Sequence, residues 1–223
     1  MYRSIAIDGP AGAGKSTIAK AVATELKYIY VDTGALYRAI GLFVNAKGFD
    51  TTDAKAIESL LNEIKVELKI IDGAQRVYLN GQDVSEHIRQ PEMSMFASNV
   101  SAIPVVREFL LELQCDIAKS NNIIMDGRDI GTVILPNADV KIFLTASPEV
   151  RAKRRYDEHI AKGQTVNFDE LLKEITQRDY NDSNREIAPL KQADDAILID
   201  TSGNTLQESI DIIKNTITQK LNS

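Results

Sequence analysis

Apolar and polar positions alternate along this chain on two different length scales. Five short runs rich in β-branched and aliphatic residues occupy positions 5–8, 28–31, 123–126, 140–144 and 197–200. Between them apolar side chains recur every three to four positions, as Ile18, Val22 and Leu26 do after the first run. Short continuous apolar runs predict buried strands, and the longer period predicts helices with one apolar face. Strands that alternate with helices need crossover connections, so the pattern predicts an α/β fold with a five-stranded parallel sheet between helical layers. Ligands bind such sheets beyond the carboxyl ends of the strands. Polar residues gather at those ends: Asp8-Gly9, Asp32-Thr33-Gly34, Asp126-Gly127-Arg128-Asp129 and Asp200-Thr201.

One stretch breaks the alternation. Val66-Glu67-Leu68-Lys69-Ile70 has period two and leads into Asp72-Gly73; Arg76-Val77-Tyr78-Leu79 leads into Asn80-Gly81 and then Gln82-Asp83-Val84. Asp-Gly and Asn-Gly between alternating runs are strong hairpin signals. Residues 66–84 are therefore expected to form a small antiparallel meander, inserted between two helices of the α/β body. Helical spacing resumes after Pro91 and again from Pro104 through Lys119. Ser147-Pro148-Glu149 has the order of a helix start: cap, proline, acidic first turn. The helix it opens carries Arg151, Arg154 and Arg155 at i, i+3 and i+4, which share one face. No repeat, low-complexity tract or long linker divides residues 1–223, which read as one domain.

Composition narrows the function classes. A net charge of −6 argues against a protein that coats nucleic acid or lies on a membrane. The first strand begins within a few residues of Met1, which leaves no room for a signal peptide, and no apolar run approaches the ~18 residues needed to span a bilayer. A single cysteine, Cys115, cannot form an internal disulfide and reads as a small, buried apolar residue on a helix. These features predict a cytoplasmic protein, active as a monomer, with neither nucleic acid nor membrane as partner.

The chemistry enters with Gly9-Pro10-Ala11-Gly12-Ala13-Gly14-Lys15-Ser16-Thr17, which fits the phosphate-binding loop G-x-x-x-x-G-K-[ST] in full. Its strand-before, helix-after context is the one the motif requires. Glycines let backbone N–H groups close on a polyphosphate, and the start of the helix adds its positive dipole end. Lys15 is placed to reach the β- and γ-phosphates of ATP, and the Ser16 hydroxyl to ligate Mg²⁺. A polyanionic substrate on an acidic protein requires local positive charge. Candidates are Arg38, Arg107, Arg128, Arg151, Arg154, Arg155, Arg178 and Arg185. Phosphoryl transfer asks for in-line positioning and such charges more than for covalent participation. A phosphate acceptor is already largely anionic at neutral pH, so no general base is needed. Asp126 either orients Mg²⁺-bound water or caps the following turn. His87 and His159 have no partner of metal-pair or triad type and read as surface or packing residues.

Three further blocks carry a resemblance. Asp32-Thr33-Gly34-Ala35-Leu36-Tyr37-Arg38, Asp126-Gly127-Arg128-Asp129-Ile130-Gly131-Thr132-Val133 and Arg178-Asp179-Tyr180-Asn181-Asp182-Ser183-Asn184-Arg185 together resemble the bacterial cytidylate kinases, over essentially the whole chain. The resemblance implies a nucleoside-monophosphate kinase fold, with an acceptor-binding region at 34–120 that contains the meander and a lid at 150–165. It implies ATP-dependent phosphorylation of CMP and dCMP. Arg38, Arg128 and Arg178 match arginines that hold the acceptor phosphate. Ser98, Arg107 and Asp129 match residues that read the cytosine edge, and Thr33, Tyr37, Asp182 and Arg185 match the nucleoside side of that pocket. Arg151, Arg154 and Arg155 match the lid that closes on the ATP phosphates. Cytosine offers an amino donor and a ring-nitrogen acceptor, which suits a carboxylate beside an arginine or serine. Two positions depart from the family: Thr33 stands where many relatives have serine, and Cys115 where relatives often carry arginine. Two other readings compete: a phosphate-loop kinase for UMP, AMP or a non-nucleotide, and a nucleotide-driven switch. A guanine-specific switch is expected to carry an N-K-x-D motif, which the chain lacks, and a switch has no use for a second arginine-lined anion site.

Overall fold

The computed structural model describes residues 2–90 and 92–222. Pro91, after which the helical pattern was expected to resume, lies outside the described residues. In chain order the elements are β1 (Ser4–Asp8), α1 (Lys15–Leu26), β2 (Ile29–Asp32), α2 (Gly34–Ala46), α3 (Ala54–Leu60), β3 (Val66–Ile71), β4 (Ala74–Leu79) and β5 (Gln82–Asp83). There follow α4 (Met93–Ser101), α5 (Pro104–Ser120), β6 (Ile123–Gly127), β7 (Val140–Thr145), α6 (Pro148–Ala161), α7 (Phe168–Asn184), β8 (Ile197–Asp200) and α8 (Leu206–Asn222).

The main sheet has the order β2-β6-β1-β7-β8, with every pairing parallel. Side chains alternate between its faces, as strand geometry demands. Ile5 and Ile7 of β1 pack on one face against Ile18 and Val22 of α1 and Ile213 and Ile217 of α8. Ala6, Val31, Ile123 and Met125 form the other face, covered by α5 and the turn at Ile130–Ile134. Helices on both faces explain why the strands read as continuous apolar runs rather than as alternating ones. Each isoleucine buried here contributes roughly 1.5–3 kcal/mol.

The insertion folds as expected. Strands β3, β4 and β5 make a separate three-stranded antiparallel sheet. Asp72 and Gly73, and again Asn80 and Gly81, have positive φ, the backbone of the tight hairpin turns that these dipeptides favour. Val77 and Leu79 face inward and join a second core built from α2, α3, α4 and α5. Helices α2 and α4 approach closely at Gly41, where an added Cβ would lie 2.6 Å from Cβ of Phe96. At the start of α6, Ser147 Oγ accepts from the Val150 N–H at 3.3 Å, and Pro148 stands in the first turn.

Parallel register aligns the strand ends: Asp8 lies opposite Gly127 on β6, and Asp32 opposite Asp126. Three acidic residues from separate parts of the chain thus stand at the carboxyl ends of three neighbouring strands.

Candidate active site

The loop after β1 is shaped by its glycines. Gly9 has φ +145°, and a Cβ there would lie 1.9 Å from the Leu144 carbonyl oxygen, so only glycine lets the chain pass β7. Lys15 opens α1 and is 5% exposed, with Nζ donating to the Pro10 carbonyl at 2.8 Å. Burial holds its pKa far below the usual lysine value; the Arg128 charge adds to this, and Asp126 opposes it. Ser16 Oγ donates to Asp126 Oδ2 at 2.8 Å, and the Tyr30 hydroxyl donates to Oδ1 at 2.9 Å. Burial, with Asp32 next, pushes the Asp126 carboxyl upward. Of the two roles open to Asp126, turn capping does not occur, because both carboxylate oxygens face Ser16 and Tyr30. A hydroxyl beside a carboxylate is an all-oxygen donor set, which fits Mg²⁺ completed by substrate phosphates. Among the described residues no trio of His, Cys, Asp and Glu side chains gathers as a metal cage.

Asp8 shapes the opposite wall. Its carboxylate accepts from the N–H groups of Ile130 at 2.8 Å and Gly131 at 2.7 Å, fixing the single π-helical turn Ile130–Ile134. Desolvation raises its pKa to about 6, against the pull of those two N–H groups. Asp129 stands at the head of that turn and so takes its place from Asp8.

Beyond the loop lies a cavity of about 530 Å³. All ten residues matched to the acceptor pocket line it: Thr33, Tyr37, Arg38, Ser98, Arg107, Arg128, Asp129, Arg178, Asp182 and Arg185. They come from α2, α4, α5, the end of β6, and α7. Arg107 donates to Asp129 Oδ2 in a buried ion pair and to the Ser101 carbonyl at 3.2 Å, and its guanidinium carbon lies 5.5 Å from the Tyr37 ring centre. Arg185 approaches the other oxygen of Asp129 at 3.5 Å. Arg128 Nε donates to Asp182 Oδ2 at 2.9 Å, Arg178 donates to Ser94 Oγ at 2.7 Å, and Arg38 donates to Asp32 Oδ2 at 2.6 Å. Desolvation, then the neighbouring Arg128 charge, lowers the Arg178 pKa to about 10. Buried Nε groups of Arg38 and Arg178 and the Tyr37 hydroxyl have no hydrogen-bond partner. Buried polar groups are ordinarily paired. With Nη2 of Arg185, three guanidinium donors lining one cavity thus lack a hydrogen-bond partner.

Of the three arginines of α6, two reach the phosphate loop, Arg151 at the Ala11 carbonyl (3.0 Å) and Arg154 at the Ala13 carbonyl (3.4 Å), while the third meets α7. Arg154 lines the cavity, donating to the Thr201 carbonyl at 2.8 Å. Arg151 is buried and fully engaged: it forms a two-pronged pair with Asp179 and donates to the Ala146 carbonyl at 2.8 Å and the Ala11 carbonyl at 3.0 Å. Arg155 turns toward Glu174, 3.7 Å away. Helical spacing sets the side, but the packing of α7 against α6 decides what each arginine meets.

Other expectations meet the structure variously. Thr33 is buried, with its hydroxyl on the Asp126 carbonyl at 2.9 Å. Cys115 is only partly buried, with Sγ 3.4 Å from the Ile134 carbonyl oxygen. Its helix face borders the π-helical turn, which does not fully cover it. His87 is exposed, and His159 meets Gln164 Oε1 at 2.5 Å. Sequence reasoning missed Asp8, Tyr30 and Ser94 as site-shaping residues. The first ends a strand beside the glycine loop and was legible by position. A tyrosine within a strand run and a serine on a helix carry no such signal.

Known proteins match this chain over nearly its whole length. The family model described as cytidylate kinase matches residues 5–219. A protein of Caldicellulosiruptor bescii named cytidylate kinase is 55% identical over 205 residues, covering 92% of this chain and 91% of that protein. One of Fervidobacterium nodosum with the same name is 47% identical over 220 residues, covering 99% and 98%. A solved structure of an uncharacterized protein from Eubacterium ventriosum aligns at 15% identity and TM-score 0.53, over 98% of this chain and 99% of that one, a likeness of fold alone.

Proposed function

The chain belongs to the cytidylate kinase family, and from that premise we propose that it moves the γ-phosphoryl group of ATP to CMP and dCMP, giving CDP or dCDP and ADP. The observation that supports this reading best is one cavity in which a phosphate-binding loop faces a second, arginine-lined anion site. An oxygen of the acceptor phosphate attacks the γ-phosphorus as the bond to the ADP oxygen breaks. That oxygen is already anionic, so the protein removes no proton.

In this reading Gly9, Pro10, Ala11, Gly12, Ala13, Gly14 and Thr17 form the donor cradle with Lys15 and Ser16. Arg38, Arg128 and Arg178 hold the acceptor phosphate in line. Lys15 and Arg154 place positive charge where negative charge develops on the phosphate oxygens during transfer. Arg107 and Asp129 offer a donor beside an acceptor, the pattern that matches the cytosine edge, with Ser98 and Tyr37 closing the base side. Asp182 and Arg185 complete the sugar side. Mg²⁺, held by Ser16 and Asp126 together with phosphate oxygens, neutralises phosphate charge when bound. Arg151 belongs to the frame rather than to the transferring set.

The test is ADP release with CMP, dCMP, UMP and AMP as acceptors. Turnover is expected with CMP and dCMP, and only weakly with UMP, because a site built for the amino group leaves its own polar groups unpaired against uracil. Equal turnover with UMP or AMP would favour another acceptor. ATP binding with no acceptor-dependent ADP release would favour a switch.

A further inference from the structure

Gln75 lies in the inserted meander, far in sequence from every residue that lines the cavity, yet its side chain grips the main sheet. Strand β2 is the edge of that sheet, and its last residue, Asp32, presents an N–H and a carbonyl with no strand beyond them. The Gln75 amide meets both: Oε1 accepts from the Asp32 N–H at 2.7 Å, and Nε2 donates to the Asp32 carbonyl at 3.0 Å. A primary amide has the same donor and acceptor as a peptide, so Gln75 supplies one residue's worth of strand pairing to an open edge. The hairpin turn at Asp72-Gly73 brings it there, because Gln75 sits opposite Ile70 just past the turn.

Asp32 in turn holds Arg38. Its Oδ2 accepts from the Arg38 guanidinium at 2.6 Å, and its Oδ1 accepts from the Ala35 N–H at 3.2 Å at the start of α2. Arg38 then faces the cavity with its buried Nε unpaired. We propose that Gln75 is a positioning residue for the acceptor phosphate: it fixes the backbone of Asp32, and through Asp32 the guanidinium of Arg38. The meander thereby becomes part of the frame that sets acceptor affinity. This inference rests on the reading of Arg38 as an acceptor-phosphate ligand given above.

The experiment is calorimetric binding with the full chain, wild type and Gln75→Ala, titrated with CMP, cytidine and ATP, alongside steady-state kinetics. Gln75 is half-buried at a sheet margin, and water can replace it on Asp32, so the variant is expected to fold. Loss of two neutral hydrogen bonds is expected to weaken CMP binding roughly three- to tenfold. The KM for CMP should rise with it. Cytidine, which lacks the phosphate, and ATP should bind as in wild type. In an Arg38→Ala background, Gln75→Ala should have no further effect on CMP. A meander control, Arg76→Ala, which removes only the exposed contacts to Asp83 and Glu86, should match wild type. Unchanged CMP affinity in Gln75→Ala, equal losses for CMP and cytidine, or additive losses with Arg38→Ala would each overturn the assignment. Wild-type protein that does not bind CMP would overturn both this inference and the function it rests on. Wild-type binding with an unaffected variant overturns the role of Gln75 alone.

Discussion

Arg107 and Asp129 form the closest buried ion pair of the acceptor pocket, and its energetics can be separated from its chemistry. Each side chain is 7% exposed, so removing either partner leaves a charge with little access to water. Breaking a buried pair from one side typically costs about 3–5 kcal/mol, whereas replacing both partners with apolar residues of similar volume is often neutral. The surroundings order the two single variants. Arg107→Met leaves Asp129 with Arg185 at 3.5 Å, which keeps some compensation and places the loss near about 3 kcal/mol. Asp129→Leu leaves Arg107 and Arg185 facing each other with no carboxylate between them, which places the loss near about 5 kcal/mol. For a chain of this size those values lower Tm by roughly 6–20 °C. The double variant should lose far less than the sum of the single losses, with a coupling of at least about 2 kcal/mol. The chain has no tryptophan, so urea unfolding followed by far-ultraviolet circular dichroism is the suitable assay. The double variant, though folded, should lose its preference for CMP over UMP. Single variants that each lose under about 1 kcal/mol, or a double variant equal to their sum, would refute the argument that the pair is shielded from solvent.

Lys15→Ala should lower kcat by on the order of 10²–10³ or more while Tm stays near wild type, and rapid-quench turnover close to wild type would remove Lys15 from the transferring set. Asp8→Asn should flatten part of the pH dependence of stability. The folded carboxyl titrates near 6, above its ordinary 3.8, so its contribution is fully present below about pH 4 and lost as pH rises through 6. The difference corresponds to roughly 3 kcal/mol, and urea midpoints between pH 4 and 7 that fall as steeply in the variant as in wild type contradict it. Arg154→Ala should lower kcat with little change in the KM for CMP, whereas Arg151→Ala should lower Tm before anything else. Steady-state kinetics and thermal melts that show the reverse order would exchange their roles.

The parts of this molecule that were legible in sequence share a physical cause. Strands buried on both faces must be apolar throughout, and hairpins with two-residue turns need residues that tolerate positive φ, so the sheet and the meander announce themselves. The phosphate loop is equally plain, because its glycines are demanded by close approach, as Gly9 against Leu144 illustrates. What stayed hidden depends on which side chains meet across the fold. Nothing local to Arg151 says that Asp179, twenty-eight positions on, will claim it, or that Arg154 one turn later is left to line the cavity. The grip of Gln75 on Asp32 and the hold of Tyr30 on Asp126 are of the same kind, products of register and packing rather than of spacing.

The fastening of Arg151 also has a mechanical consequence. One guanidinium ties the root of α6 to the phosphate loop at Ala11, to the end of β7 at Ala146 and to α7 at Asp179. Helix α6 is therefore clamped at its root, and its arm from Arg151 to Ala161 is tied to α7, where Arg155 meets Glu174 and Tyr156 meets Phe168 edge to face. Ten residues of helix span about 15 Å. A rotation of about 10° about that pivot carries the far tip almost 3 Å, on the order of a hydrogen-bond length, and displaces Arg154, less than 5 Å along the arm, by under about 1 Å. Any swing of the paired helices about this pivot would thus be small beside the phosphate loop and larger at the tip, one rotation at two radii.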